Sequence, residues 1–306
     1  MTEFVYGLLH GVDEKKRVLA IKTKHRVRFF YMAKGMFSGF MNYFGPGIYV
    51  YMTVLKACRP YKGYSVQNVV NVEKVMAPNR QRPKMFYDVS IIKAGVKSIV
   101  NSNKPKLFVD FEMSMPPYRN YQNFISEIIQ VGMILTDVSG KILEEHSFFI
   151  KPTLFPQISD RTEKFLHISQ DDIMNGKDYR YFHEMFFKIQ NTFRPMIFIW
   201  GKNDKLELKK MNGIHQLEEF TVKSQFIDLL QLHKIYFGLK NDLGLFSAYN
   251  MYSSVDLTNQ LHDAFQDASV TKNVFFWFQD VINGKLMIET KNDNTDTSED
   301  HNEAQA

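Results

Sequence analysis

Cysteine is nearly absent from this 306-residue chain: Cys58 is the only one, so neither an intrachain disulfide nor a cysteine-built zinc site can form. No uninterrupted apolar run approaches the roughly 20 residues of a membrane span. The N-terminus carries no signal-peptide pattern, so a cytoplasmic protein with no membrane partner is the expectation. A glycine-rich phosphate loop and internal repeats are missing too, which sets aside P-loop nucleotide chemistry and solenoid architectures.

Acidic residues are scarce in one part of the chain. Residues 1–106 hold 19 Lys and Arg against five Asp and Glu, a formal +14, and the remaining residues hold 19 against 28, a formal −9. The overall +5 hides this polarity. A strongly basic segment points to a polyanionic partner, and an acidic one suits a carboxylate metal site. Two domains are therefore expected, each with enough chain for its own core.

The basic part reads as β-rich over residues 1–75. Strand-like runs cover Glu3 to Leu9 and Arg17 to Lys24, then the alternating stretch from His25 to Lys34, Ile48 to Val54 and Ser65 to Val75. Five strands fit a small barrel of OB type, with Lys22, Lys24, Arg26 and Arg28 tracking phosphates and exposed aromatics stacking on bases. The same aromatics, Phe29, Phe30, Tyr49 and Tyr51, also suit a small core, and an anionic membrane or an acidic protein would be drawn to the same charge. Residues 76–104 read as a basic linker around Ala77 to Lys84 with a short helix from Asp88 to Val100 capped by Asp88. From Thr290 to Ala306 one lysine stands against five acids with no large apolar residue, the composition of a disordered tail over 290–306.

Within residues 105–284, three separated segments carry the chemistry. Leu107 to Ser114 is an apolar run holding Asp110 and Glu112; Ile197 to Trp200 is another, followed by Gly201 and Asp204, and both runs read as strands with their acids at the strand ends; His262 to Ala268 opens a helix and holds His262 and Asp267. Residues i and i+2 of a strand point the same way, so Asp110 and Glu112 present two carboxylates on one side of a strand end. Four acidic groups suit two hard divalent ions, Mg²⁺ or Mn²⁺, held roughly 3.5 to 4 Å apart, as phosphodiester hydrolysis uses them. A neutral imidazole at His262 can accept a proton from the attacking water. On a helix, Asp263 and Asp267 would share a face, which places His262 on the loop entering that helix. Each segment alone has a plainer explanation: a solvated strand end for Asp-x-Glu, a helix cap for Asp204, a surface histidine for His262.

Taken together, the three segments resemble the DnaQ-like DEDD exonucleases of ribonuclease H-like fold, in the subgroup whose third motif is His-x4-Asp; Asp263 stands where the tyrosine subgroup has its tyrosine. The resemblance runs over about residues 105–284 and extends to the hairpin Ser126 to Pro152, the stretches Ile158 to Thr162 and Ile168 to Ile173, and the Leu243 to Ala248 helix before the third motif. Trp200 and Gly201 ahead of Asp204 point to the branch with the Eri-type and KapD-type enzymes. The resemblance implies a mixed sheet with flanking helices. It also implies a 3′ to 5′ exonuclease that releases nucleoside 5′-monophosphates from RNA or single-stranded DNA, with Asp110, Glu112, Asp204 and Asp267 as metal ligands and His262 as base. Met113 and Ser114 stand where relatives contact the terminal nucleotide, although a buried Met113 explains that residue equally well. A nucleic-acid-binding protein that keeps this fold without turnover is the other reading, against which the presence of all five residues argues.

Overall fold

The computed structural model describes residues 1–79, 82–119, 123–221, 226–239, 241–253 and 262–288. The tail expected over 290–306 lies outside them. The chain forms two compact units, Met1–Gly95 and Val96–Thr290.

In the first unit the strands are β1 (Thr2–Asp13), β2 (Val18–Lys22), β3 (Val27–Tyr31), β4 (Tyr49–Tyr61), β5 (Tyr64–Ala77) and β6 (Lys84–Asp88), with helix α1 (Lys34–Phe40) between β3 and β4. Neighbours pair antiparallel in the order β3-β2-β1-β4-β5-β6, and β3 also pairs with β5 in parallel. That pairing closes β1 to β5 into a five-stranded barrel of the expected OB type. Alternation decides what fills it: Val5, Leu9, Leu19, Ile21, Phe30, Val50, Met52 and Val54 point inward and are buried. Gly7 is needed where β1 meets β2, because a Cβ there would lie 2.4 Å from the Lys22 carbonyl oxygen. Irregular registers at Tyr51/Met52 and Thr53/Val54 bend the long β4–β5 ribbon. The expected linker contains β6, which extends the sheet beyond β5. Helix α2 (Val89–Val100) follows directly, with Asp88 accepting from the Ser90 N–H at 2.9 Å. Burial alone would raise the Asp88 carboxyl, but Lys74 Nζ at 2.8 Å and the Ser90 hydroxyl and N–H hold it at about 2.

The second unit is built on β7 (Lys106–Met113), β8 (Ile128–Thr136), β9 (Ile142–Phe149), β10 (Met196–Ile199) and β11 (Phe226–Asp228), in the order β11-β10-β7-β8-β9. β7, β10 and β11 run parallel; β8 is antiparallel to both of its neighbours. The helices are α3 (Asp160–Leu166), α4 (Gln170–Met174), α5 (Tyr179–Phe193), α6 (Asn203–Ile214), α7 (Leu229–Phe237), α8 (Leu245–Tyr252) and α9 (Ala264–Ile282). Caps written in the sequence start several of them: Ser159 accepts from Thr162 N–H, Ser169 forms a capping box with Asp172, and Asp228 accepts from Gln231 N–H.

Alternation along β7 sorts its side chains between two cores. Leu107, Val109 and Phe111 pack with Tyr179, Phe182, Phe186, Leu208 and Met211 of α5 and α6. Phe108 faces the other way, into a core with Val274, Phe275 and Phe278 of α9. Asp110 and Glu112, in phase with Phe108, are therefore turned to the α9 face of the sheet. The mixed sheet with helices on both faces is the ribonuclease H-like arrangement that was expected.

Candidate active site

Three elements meet at the C-terminal end of β7. Asp110 and Glu112 come from the strand itself, opposite Gly132 and Gln130 of β8. Asp204 was expected at a strand end but sits in the first turn of α6, because Gly201 (φ +90°) ends β10 and one turn of loop intervenes. It is 6% exposed, and its Oδ1 accepts from the Phe111 N–H at 3.2 Å, so helix and strand are tied together at the site. Asp228 accepts from the Gly201 N–H at 3.1 Å and steadies that loop.

Asp267, 4% exposed, lies in the first turn of α9. His262 lies outside the helix on the loop entering it, with φ +49°, and Asp263 is the N-cap. Donor atoms of Glu112, His262 and Asp267 all lie within 4.8 Å of one another, a grouping able to hold a metal ion. The His262 ring also stacks on Phe165 of α3, with centroids 4.3 Å apart and planes 28° from parallel.

How α9 gets so close to the strands is visible at Gly132. A Cβ on that residue would lie 2.0 Å from the Ala264 carbonyl oxygen and 2.4 Å from the Phe265 nitrogen. Gln130, one strand pitch away, completes the seat: its Nε2 donates to Asp263 Oδ2 at 2.7 Å and its Oε1 accepts from the Ala264 N–H at 3.4 Å. Asp263 Oδ1 meanwhile accepts from the Gln266 N–H at 2.8 Å. Sequence patterning does not single out Gln130, Gly132 or Asp228; it marks the run around Gly132 only as part of a hairpin.

The electrostatics follow from crowding acids in a desolvated place. Burial, then repulsion from Asp204, Asp267 and Glu112, raises the Asp110 carboxyl well above the usual carboxylate range. Burial and the charges of Asp267 and Asp204 push Glu112 up to about 8. Burial raises Asp204 to about 7 against the opposing N–H of Phe111. Acids that resist ionising together, all oxygen donors and joined by an imidazole, are what a hard divalent cation would relieve, and the donor set fits one. His262 itself is lowered, by burial first and by His167 second, which favours the neutral ring.

Met113 and Ser114, expected to contact nucleotide, directly follow Glu112 at the end of β7. Met113 packs against the core of the opposite sheet face. Ser114 is 4% exposed, its N–H donating to the Glu127 carbonyl and its Oγ accepting from the Glu127 N–H. In the first unit Lys22, Lys24 and Arg26 are exposed. Arg28 pairs with Ile21, on the inward side, and its guanidinium is bound to Glu3 and Gln67.

Comparisons with known proteins bear on the family and the fold. The exonuclease family model RNase_T matches residues 107–275. A probable 3′-5′ exonuclease, KapD of Bacillus subtilis (strain 168), is 29% identical over 170 residues, covering 55% of this chain and 82% of that protein. Among solved structures, the nuclease domain of 3′hExo, a DEDDh family member bound to rAMP, superposes with a TM-score of 0.52 at 16% identity, over 61% of this chain and 97% of that one. A 3′-exonuclease solved with the histone mRNA stem-loop gives 0.53 at 15% identity, over 62% and 68%. Among the described residues no helix is long and apolar enough to cross a membrane. With its acids and histidine drawn from three motifs to one sheet end, the chain belongs to the RNase_T exonucleases of the DEDDh, DnaQ-like type, a metal-dependent family of 3′-5′ exonucleases.

Proposed function

We propose that this protein is a cytoplasmic enzyme that removes nucleoside 5′-monophosphates one at a time from the free 3′ end of RNA or single-stranded DNA. The observation that carries the reading is the convergence of Asp110, Glu112, Asp204, Asp267 and His262 at one sheet end. The four carboxylates would hold two divalent cations, Mg²⁺ or Mn²⁺, which supply a polarised water and charge stabilisation at the phosphorus. Asp110 and Glu112, fixed on a strand, and Asp204 and Asp267, fixed in first helical turns, set the spacing of that charge. His262 Nδ1 or Nε2, neutral near pH 7, takes the proton of the attacking water. Relief of carboxylate repulsion ties metal binding to substrate binding, since the scissile phosphate adds negative charge that the cations would offset. Residues 1–75, with the exposed Lys22, Lys24 and Arg26, act as an accessory nucleic-acid-binding domain.

The test is hydrolysis of 3′-labelled linear RNA and DNA beside closed circles of the same sequence. Linear strands should shorten stepwise with Mg²⁺ or Mn²⁺, circles should resist, and EDTA, Asp110→Ala or Asp267→Ala should each abolish the reaction. Hydrolysis that survives EDTA and both substitutions would remove the metal assignment, and comparable cutting of circles would remove the exonuclease direction.

A further inference from the structure

The outer face of the barrel carries aromatic surface that the core does not use. Along β1, Val5, Gly7 and Leu9 point inward and are buried, so Phe4 and Tyr6 point outward, 59% and 55% exposed. Pairing extends the face across three more strands: Tyr6 lies opposite Tyr51, Leu8 lies opposite both Tyr49 and Lys22, and Tyr51 lies opposite Lys74. The Tyr6 and Tyr51 rings stack, with centroids 5.3 Å apart and planes 9° from parallel, and Phe4 lies 6.3 Å from each. Lys74 Nζ stands 5.8 Å from the centre of the Tyr51 ring while paired with Asp88 at 2.8 Å. Phe4 and Tyr51 also line a cleft with Lys74 and Lys93.

Two exposed rings and the half-buried Tyr51 beside them, on a barrel whose interior is already filled, mark an interaction surface. Its occupant follows from the flat aromatic faces and the charge around them. Lys22 adjoins the rings through Leu8, and the exposed Lys24 and Arg26 continue from it, within a segment of formal +14. Flat rings beside a cationic track are the arrangement that receives unpaired bases on their faces and phosphates on the lysines. We propose that Phe4, Tyr6 and Tyr51 form a stacking platform for the bases of a single-stranded polynucleotide, with Lys22 and Lys24 meeting its phosphates. This rests on the reading that the protein acts on nucleic acid; it adds the β1–β4 face to the contact surface, keeps Lys22 and Lys24 beside it and leaves Arg28 out of it.

The experiment uses the full chain with Phe4→Ala and Tyr6→Ala together, both exposed positions, and an end-labelled oligouridylate or oligothymidylate of about 20 nucleotides, bound in EDTA over a range of salt. Affinity should fall about ten- to a hundredfold on both strands, with the salt slope unchanged because no cation is removed. The variant Phe4→Tyr with Tyr6→Phe, which keeps the rings, should bind like the parent. An affinity unchanged by the alanines, no binding by the parent, or an equal loss on a duplex of the same length would overturn the platform. Hydrolysis of a trinucleotide with Mg²⁺ is read separately: its absence in the parent counts against the exonuclease reading and leaves the stacking result untouched.

Discussion

At His262 the backbone holds a left-handed conformation outside α9 while a ring nitrogen lies within 4.8 Å of carboxylate oxygens of Glu112 and Asp267 and the ring stacks on Phe165. A residue held in that conformation without being glycine is costly and persists where its surroundings demand it. If its role is to accept the water proton, His262→Ala should lose on the order of 10²- to 10⁴-fold in kcat with substrate affinity retained; near-parental kcat in single-turnover assays would remove the base. Gly132→Ala tests how finely the site is set. Its methyl would lie 2.0 Å from the Ala264 carbonyl oxygen, so α9 must back away and carry Asp267 with it. A shift of that kind should cost on the order of 10²-fold in rate, measured beside a circular dichroism spectrum that shows the helices intact. The five motif residues were legible in the sequence because the chemistry dictates their types and their order. Gly132 and Gln130 were not, because their purpose is contact with Ala264 and Asp263, 133 or 134 positions along the chain for Gln130. No local pattern announces a partner that distant.

Among the elements, α2 does not belong to a linker. Val96 and Val100, 3% and 0% exposed, pack with Phe108, Phe275 and Phe278 in the core beneath the catalytic sheet. The Gln279 side-chain amide of α9 donates to the Val100 carbonyl at 3.0 Å. Each buried valine is worth roughly 1.5–3 kcal/mol. A fragment beginning at Val89 should therefore melt cooperatively, and one beginning at Asn103 should melt at a distinctly lower temperature or fail to fold; equal melting temperatures in calorimetry would make α2 dispensable. The amphipathic helix itself was readable from Asp88 onward, as was the hairpin Ser126 to Pro152 that holds β8 and β9. β6 was not, for Lys84–Asp88 is short, follows Pro83 and owes its strand character to pairing with β5. Asp204 moved from strand to helix for a similar reason: the break is one glycine, and sequence alone does not say on which side of it the next element starts.

Over the molecule as a whole, the division of charge is the feature the sequence stated most openly, and it sets a measurable property of binding. Replacing Lys22, Lys24 and Arg26 by glutamine in the full chain should flatten the dependence of log K on log salt by roughly 0.7 for each phosphate no longer neutralised, about 2 in all. An unaltered slope in titrations on long single strands would assign the basic unit to another partner. Less open was the closure of the barrel, since the parallel pairing of β3 with β5 joins residues 29–31 to 66–68 and leaves no trace in either strand's own pattern. The linear order of the parts has a consequence during synthesis. A chain leaving the ribosome completes its barrel once β5 has emerged, and exposes Asp110 and Glu112 soon after, but Asp267 and His262 come with α9, the last described helix. Domains fold as they are made, N-terminal first. Until α9 clears the exit tunnel the nascent protein lacks His262 and Asp267, so the cluster at the end of β7 stays incomplete while the chain is being made.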